Sequence, residues 1–135
     1  MLGDKVGAFT GKTTGQRVLP SADGPRVETT VEQTGELGGV PATWLATYNS
    51  VVRADGSLYG ECPDQGLIMT PDGIGTWKGA GVGCFTDEAG SASFRGAVYL
   101  VNVPAKLAEL AKVALMFEYE QAGDGSATLH FWEWK

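Results

Sequence analysis

Residues Val51 to Thr76 read VVRADGSLYGECPDQGLIMTPDGIGT, and this stretch decides the fold. Two Asp-Gly pairs, Asp55-Gly56 and Asp72-Gly73, bracket a run of strand character. Asp-Gly in that position favours a tight hairpin turn, because both residues tolerate positive φ. The same punctuation recurs at Asp23-Gly24 and Asp124-Gly125, with Gly38-Gly39 as a fifth turn and Asp87 to Gly90 as a longer sixth. The 20 glycines are spread along the whole chain, between runs rich in Val, Thr, Tyr, Phe and Trp.

The turns separate eight segments of strand character, at 5–19, 26–37, 40–53, 57–70, 74–86, 91–102, 113–122 and 126–134. Consecutive hairpins of this kind build an antiparallel meander. Eight strands suffice to close a barrel and remove the sheet edges. The expected fold is all-β: an eight-stranded antiparallel up-and-down barrel in which residues 1–135 form one domain. A two-sheet sandwich is the alternative the same turns could build. One short helix interrupts the meander before the last two strands. From Pro104 to Lys112, Leu107, Leu110 and Ala111 fall at helical spacing, and Asn102 precedes the proline as a cap. A helix this short must pack on the sheet or plug one end of the barrel.

Composition sets the remaining bounds. A chain of 135 residues and 14.2 kDa allows one domain with a self-sufficient core. The formal net charge of -6 argues against a nucleic-acid partner. No apolar run is long enough to span a membrane as a helix. The N-terminal Met-Leu-Gly-Asp-Lys lacks the basic and then apolar regions of a signal peptide, so a cytoplasmic location is expected.

Catalytic signatures are missing. The Gly-rich run from Gly73 to Cys84 contains neither G-x-G-x-x-G nor G-K-[ST], and no helix follows to face a phosphate. Its glycines instead suit a coiled strand covered by a large neighbour such as Phe94. The single histidine, His130, sits in Thr-Leu-His-Phe-Trp-Glu-Trp and reads as a packed aromatic. It supplies neither a triad nor a His-rich metal site. No G-x-S-x-G occurs. No metal site and no cofactor is implied, and no catalytic residue is assigned.

Two-residue turns fix registers that can be carried across the sheet. Gly38-Gly39 sets Thr29 opposite Tyr48. Asp55-Gly56 sets Val52 opposite Tyr59, and Asp72-Gly73 sets Cys62 opposite Gly83 and Cys84 opposite Glu61. The two cysteines then lie on opposite faces and stay reduced. A four-residue loop at Asp87 to Gly90 sets Val82 opposite Arg95 and Cys84 opposite Ser93. One face thus collects Val27, Thr29, Val31, Gln33, Trp44, Tyr48, Tyr59, Glu61, Val82, Cys84, Arg95 and Tyr99.

The other face starts with Glu28, Glu32 and Glu36 but later holds Trp77 and Phe94, a conflict with two resolutions. Either a bulge swaps the faces midway, leaving Trp77 and Phe94 in the core and Glu61 and Arg95 outside. Or the lumen holds the tyrosines with a Glu and an Arg that need pairing or a polar ligand. Lys78, on the same face as Arg95, argues for the first. In the last hairpin, Asp124-Gly125 sets Phe117 opposite Trp132 and Tyr119 opposite His130, with the final strand closing on the first. Leu129 and Phe131 then fall on the other face, where helix packing or a homo-oligomer contact would cover them.

The run Gly-Val-Gly-Cys-Phe-Thr-Asp-Glu-Ala-Gly-Ser-Ala-Ser-Phe-Arg-Gly (81–96), with Phe-Glu-Tyr-Glu (117–120) and Trp-Glu-Trp-Lys (132–135), resembles small uncharacterised bacterial proteins. Their shape is similar to allene-oxide-cyclase-like, calycin-like barrels. The resemblance covers most of the chain and implies a barrel class that includes cofactor-free cyclases. It carries no catalytic residue onto this sequence. The leading expectation is a barrel holding a small, largely apolar molecule in its lumen, with Tyr48, Tyr59, Glu61, Arg95 and Tyr99 as ligand-binding candidates. The first alternative is a cofactor-independent cyclase or isomerase with Glu61 as acid or base and Arg95 or a Tyr hydroxyl stabilising negative charge. The second is a structural or oligomeric barrel whose core is filled.

Overall fold

A computed structural model describes residues 1–87 and 89–135, with residue 65 described by its backbone alone. Eight strands follow in chain order: β1 (Leu2–Leu19), β2 (Arg26–Leu37), β3 (Val40–Val52), β4 (Leu58–Thr70), β5 (Gly73–Phe85), β6 (Ala92–Asn102), β7 (Leu115–Gln121) and β8 (Ser126–Trp134). Each pairs antiparallel with its sequence neighbours, and β8 closes on β1, giving a closed barrel rather than a sandwich. Closure pairs Gly7 with Phe131 and Phe9 with Leu129.

Two hairpins form in the expected register. Leu37 faces Val40 and Thr29 faces Tyr48 across Gly38-Gly39, where both glycines take positive φ (58 and 78). Val82 faces Arg95 and Cys84 faces Ser93. The loop joining that pair, 87–90, includes residue 88, which lies outside the described residues.

Three registers differ from the two-residue expectation, and the turns explain why. At Asp55-Gly56 the last pair is Val52 with Leu58, so Val51 rather than Val52 faces Tyr59. Arg53 N–H donates to the Ser57 carbonyl and Gly56 N–H to the Arg53 carbonyl. Gly56 takes φ 87, and the Asp55 carboxylate accepts from Ser57 N–H at 2.9 Å. This is a type I turn followed by a left-handed glycine, one residue longer than the simplest hairpin. At Asp124-Gly125 the same construction recurs, so Phe117 faces Phe131 and Tyr119 faces Leu129. Because strand faces alternate, one extra residue moves every later side chain to the other wall.

The third difference is at Asp72-Gly73, where Thr70 pairs with Gly73 and the turn residues are Pro71 and Asp72. Proline at the first corner position with glycine closing the turn is the type I preference. Further along, Cys62 faces Gly79, not Gly83: the moved turn accounts for two residues of the shift, and a bulge in β4 between Cys62 and Gly66 for the other two. Pro63 lacks an N–H for the ladder and sits in that bulge, where a proline costs least.

The faces therefore swap at the 53–57 loop, not at a bulge within a strand. Trp77 and Phe94 are core, while Tyr59, Glu61, Val82, Arg95 and Tyr99 take outer positions. The cysteines do lie on opposite faces: Cys62 is buried, Cys84 is exposed, and both are free.

The expected single helix is instead two 3-10 turns, Ala105–Leu107 and Leu110–Lys112. Asn102 ends β6 and caps neither. Pro104 occupies the position before the first turn, with no side-chain cap bond. So short a segment gains more from placing Leu107, which is fully buried, than from continuous helical bonds. Lys106 Nζ reaches Asp72 at 3.3 Å, and a Cβ on Gly38 would meet Leu110 at 3.0 Å. The segment thus sits among the β2–β3 and β4–β5 turns at one barrel end.

Candidate functional site

Inward residues stack in two aromatic tiers. In the first, Trp44 lies on Trp77 with ring centroids 4.3 Å apart and 17° between planes, and Phe131 and Phe9 close on it at 5.0 and 5.6 Å. In the second, Tyr48, Phe94 and Tyr119 meet one another at 5.8 to 6.1 Å. Between them Val31 faces Ala46 across the β2–β3 ladder. Ala46, Gly60, Cys62, Gly79 and Gly81 are small, and a cavity of about 70 Å³ lies among them. Val31, Phe94, Val98 and Leu129 complete much of its apolar lining.

Two polar side chains on this lining have no partner. Both ends of the Gln33 carboxamide and the Trp77 indole N–H are buried without a hydrogen bond, whereas the Tyr119 hydroxyl lies against that of Tyr48. Gln33 is only 1% exposed. Its place follows from β2 alternation, in which Thr29, Val31, Gln33 and Leu37 are all buried. Most buried polar groups in folded proteins are paired, so two orphaned side chains around one cavity call for a cause. Tyr48 differs, donating from its hydroxyl to Gln121 Oε1 at 3.0 Å. Burial raises the Tyr48 hydroxyl pKa and pushes that of Tyr119 up much further.

Of the five residues singled out in the sequence, the structure brings only Tyr48 into the lumen tiers. Glu61 borders the cavity from the wall beside the β4 bulge, where Tyr59 donates to its carboxylate at 3.4 Å. Arg95 lies on the outer face and pairs with Glu118 at 3.4 Å and Glu120 at 2.9 Å, not with Glu61. Tyr99 is 54% exposed. The acid and the cation of the cyclase expectation are therefore not a luminal pair. Arg95 and both its carboxylates are about half exposed. Arg95→Met is accordingly expected to cost roughly 0–1 kcal/mol, and Glu61→Gln no more than about 0.5 kcal/mol, in denaturant unfolding. A loss of about 3 kcal/mol in either variant would show a buried ion instead.

His130 is outside too, half-buried beside Trp132 with centroids 6.3 Å apart. Among the described residues no three His, Cys, Asp or Glu side chains converge as a metal site, and no helix is long and apolar enough to cross a membrane. Gln33, Trp77 and Tyr119 were not candidates in the sequence. The available signal was Gln33 itself, an amide on the face it shares with Val31 and Trp44.

Cys62 reports on the same space. Burial pushes its thiol up to about 11, while Cys84 stands exposed. Since the thiolate is the reactive form, one thiol is expected to label promptly at pH 7 and the second only on unfolding. Two fast thiols, or none after unfolding, would contradict this placement.

No family model and no curated protein matches the sequence. Solved structures do match in shape. A protein with unknown function from Clostridium acetobutylicum ATCC 824 superposes with TM-score 0.78 at 14% identity, covering 98% of each chain. A conserved protein of unknown function from Rhodopseudomonas palustris gives 0.81 at 11% identity, covering 98% of this chain and 97% of that one. A beta-barrel like protein from Acinetobacter baumannii AYE gives 0.80 at 14% identity, covering 100% of this chain and 96% of the other. At these identities the likeness shows the fold, and it extends over the whole barrel.

Proposed function

We propose that this barrel binds a small, largely apolar molecule in its lumen. The observation that carries the reading is the occurrence of two unpaired polar side chains, Gln33 and Trp77, on one apolar cavity. Apolar walls with a few placed polar groups are the usual make-up of a small-molecule site. A filled structural core has no use for the Gln33 amide, which costs stability wherever it lacks a partner. The cavity of about 70 Å³ exceeds the roughly 10–15 Å³ that one water needs. It falls short of the roughly 300 Å³ at which drug-sized pockets begin, so the occupant has few heavy atoms or lodges only its head here. The resemblance to allene-oxide-cyclase-like, calycin-like barrels belongs to this reading as an analogy of shape.

Native mass spectrometry of freshly purified protein tests it. The expected result is a mass above that of the polypeptide, with the excess released on unfolding. Bare polypeptide mass, together with no thermal stabilisation by a small-molecule extract of cells, overturns the proposal.

A further inference from the structure

The lumen's polar groups also say what the molecule carries. We infer that the ligand is electrically neutral and presents a hydrogen-bond acceptor oxygen, of the ketone, ester or amide kind, to Trp77 and Gln33. This rests on the luminal-binding reading above and narrows it to a chemical class.

Trp77 Nε1–H can only donate, so it is satisfied by an acceptor and by nothing else. Gln33 offers a second donor from its amide nitrogen and an acceptor from its oxygen, both unpaired and both buried. Both belong to the tier around Trp44: Gln33 faces Trp44 across the β2–β3 ladder, and Trp44 stacks on Trp77 at 4.3 Å. A carbonyl oxygen has two lone pairs and suits two such donors.

Charge excludes the alternatives. Among the described residues no Lys, Arg or His borders the cavity, so a carboxylate or phosphate would be buried without a counter-ion. The one carboxylic acid at its border, Glu61, stands on the outer face with its carboxylate held by Tyr59, and supplies no positive charge. An ammonium group would find aromatic faces but no carboxylate turned into the lumen, and it accepts no hydrogen bond and leaves the Trp77 donor orphaned.

The test uses four probes of one ring size on the whole protein: cyclopentanone, cyclopentane, cyclopentylammonium and cyclopentanecarboxylate. Binding is followed by two-dimensional proton–nitrogen spectra, with the Trp77 indole signal assigned through Trp77→Phe. Cyclopentanone is expected to bind at least about tenfold more tightly than the other three and to shift the Trp77 indole proton as a new hydrogen bond does. Trp77→Phe and Gln33→Met should each bring its affinity down toward that of cyclopentane. Two variants guard against one failing to fold, and the ranking on the unaltered protein needs neither. Cyclopentane binding as tightly as the ketone overturns the inference while leaving luminal binding intact, as does the carboxylate or the ammonium binding tightest. A ketone whose affinity survives both variants overturns it equally. If none of the four binds, this inference fails, and luminal binding stands or falls on the native mass and the cell-extract stabilisation.

Discussion

Phe131→Ala is expected to cost about 3–5 kcal/mol in denaturant unfolding, and Trp132→Ala only about 1 kcal/mol. The larger indole is the cheaper loss because the wall of the barrel separates the two rings. Phe131 is fully buried, packs on Trp44 at 5.0 Å and on Phe9 at 6.1 Å, and sits where β8 closes on β1. Removing it leaves a void among rings that cannot collapse onto one another, which adds a cavity cost to the lost burial. Trp132 is half-buried outside, with Lys5 Nζ 5.8 Å from its ring centre. A Trp132→Ala loss as large as that of Phe131→Ala would mean that Trp132 faces inward, the register of a two-residue turn at Asp124-Gly125.

That one-residue difference marks the limit of what the sequence discloses. The strand segments and the closed eight-strand order were legible because Gly and Asp-Gly punctuate the chain at nearly every turn. Gly38-Gly39 was legible in full, since a two-residue turn with both glycines left-handed admits one register. Asp55-Gly56 and Asp124-Gly125 were not, because Asp-Gly serves a two-residue turn and a three-residue turn alike. The serine after each pair is the distinguishing mark. Ser57 and Ser126 return their N–H and hydroxyl to the aspartate, which closes the longer loop. Read that way, the conflict of Trp77 and Phe94 against Glu61 and Arg95 dissolves at the 53–57 loop.

The site was harder to read than the fold, for a related reason. Charged residues attract attention as candidates, and Glu61 and Arg95 drew it here because a slipped register carried them inward. Arg95 instead satisfies itself on the outer wall with Glu118 and Glu120. The luminal groups that lack partners are neutral, and one of them, Trp77, is an aromatic residue whose burial needs no explanation until its N–H is followed. Only Gln33 was anomalous on its face in the sequence alone, as an amide among Val31, Trp44 and Leu37.

Gln33→Met is therefore expected to stabilise the ligand-free protein, by about 1–3 kcal/mol. The side chains are close in length and volume, so the substitution leaves the tier around Trp44 filled. What it removes is a carboxamide that gave up its water on folding and received nothing in return. Urea unfolding of protein first refolded from denaturant, and so stripped of any bound molecule, makes the comparison. A bound ligand reverses the balance. Occupancy at a hundred times its Kd adds roughly 2.7 kcal/mol to a protein that binds it, and less to a variant that has lost a contact. The gain from Gln33→Met should thus shrink or change sign as ligand is added, the exchange of stability for function expected where a polar group is held ready for a partner. If the variant is instead less stable than the parent by more than about 1 kcal/mol with no ligand present, the amide is holding the core together through water. The lumen would then be a structural interior rather than a site.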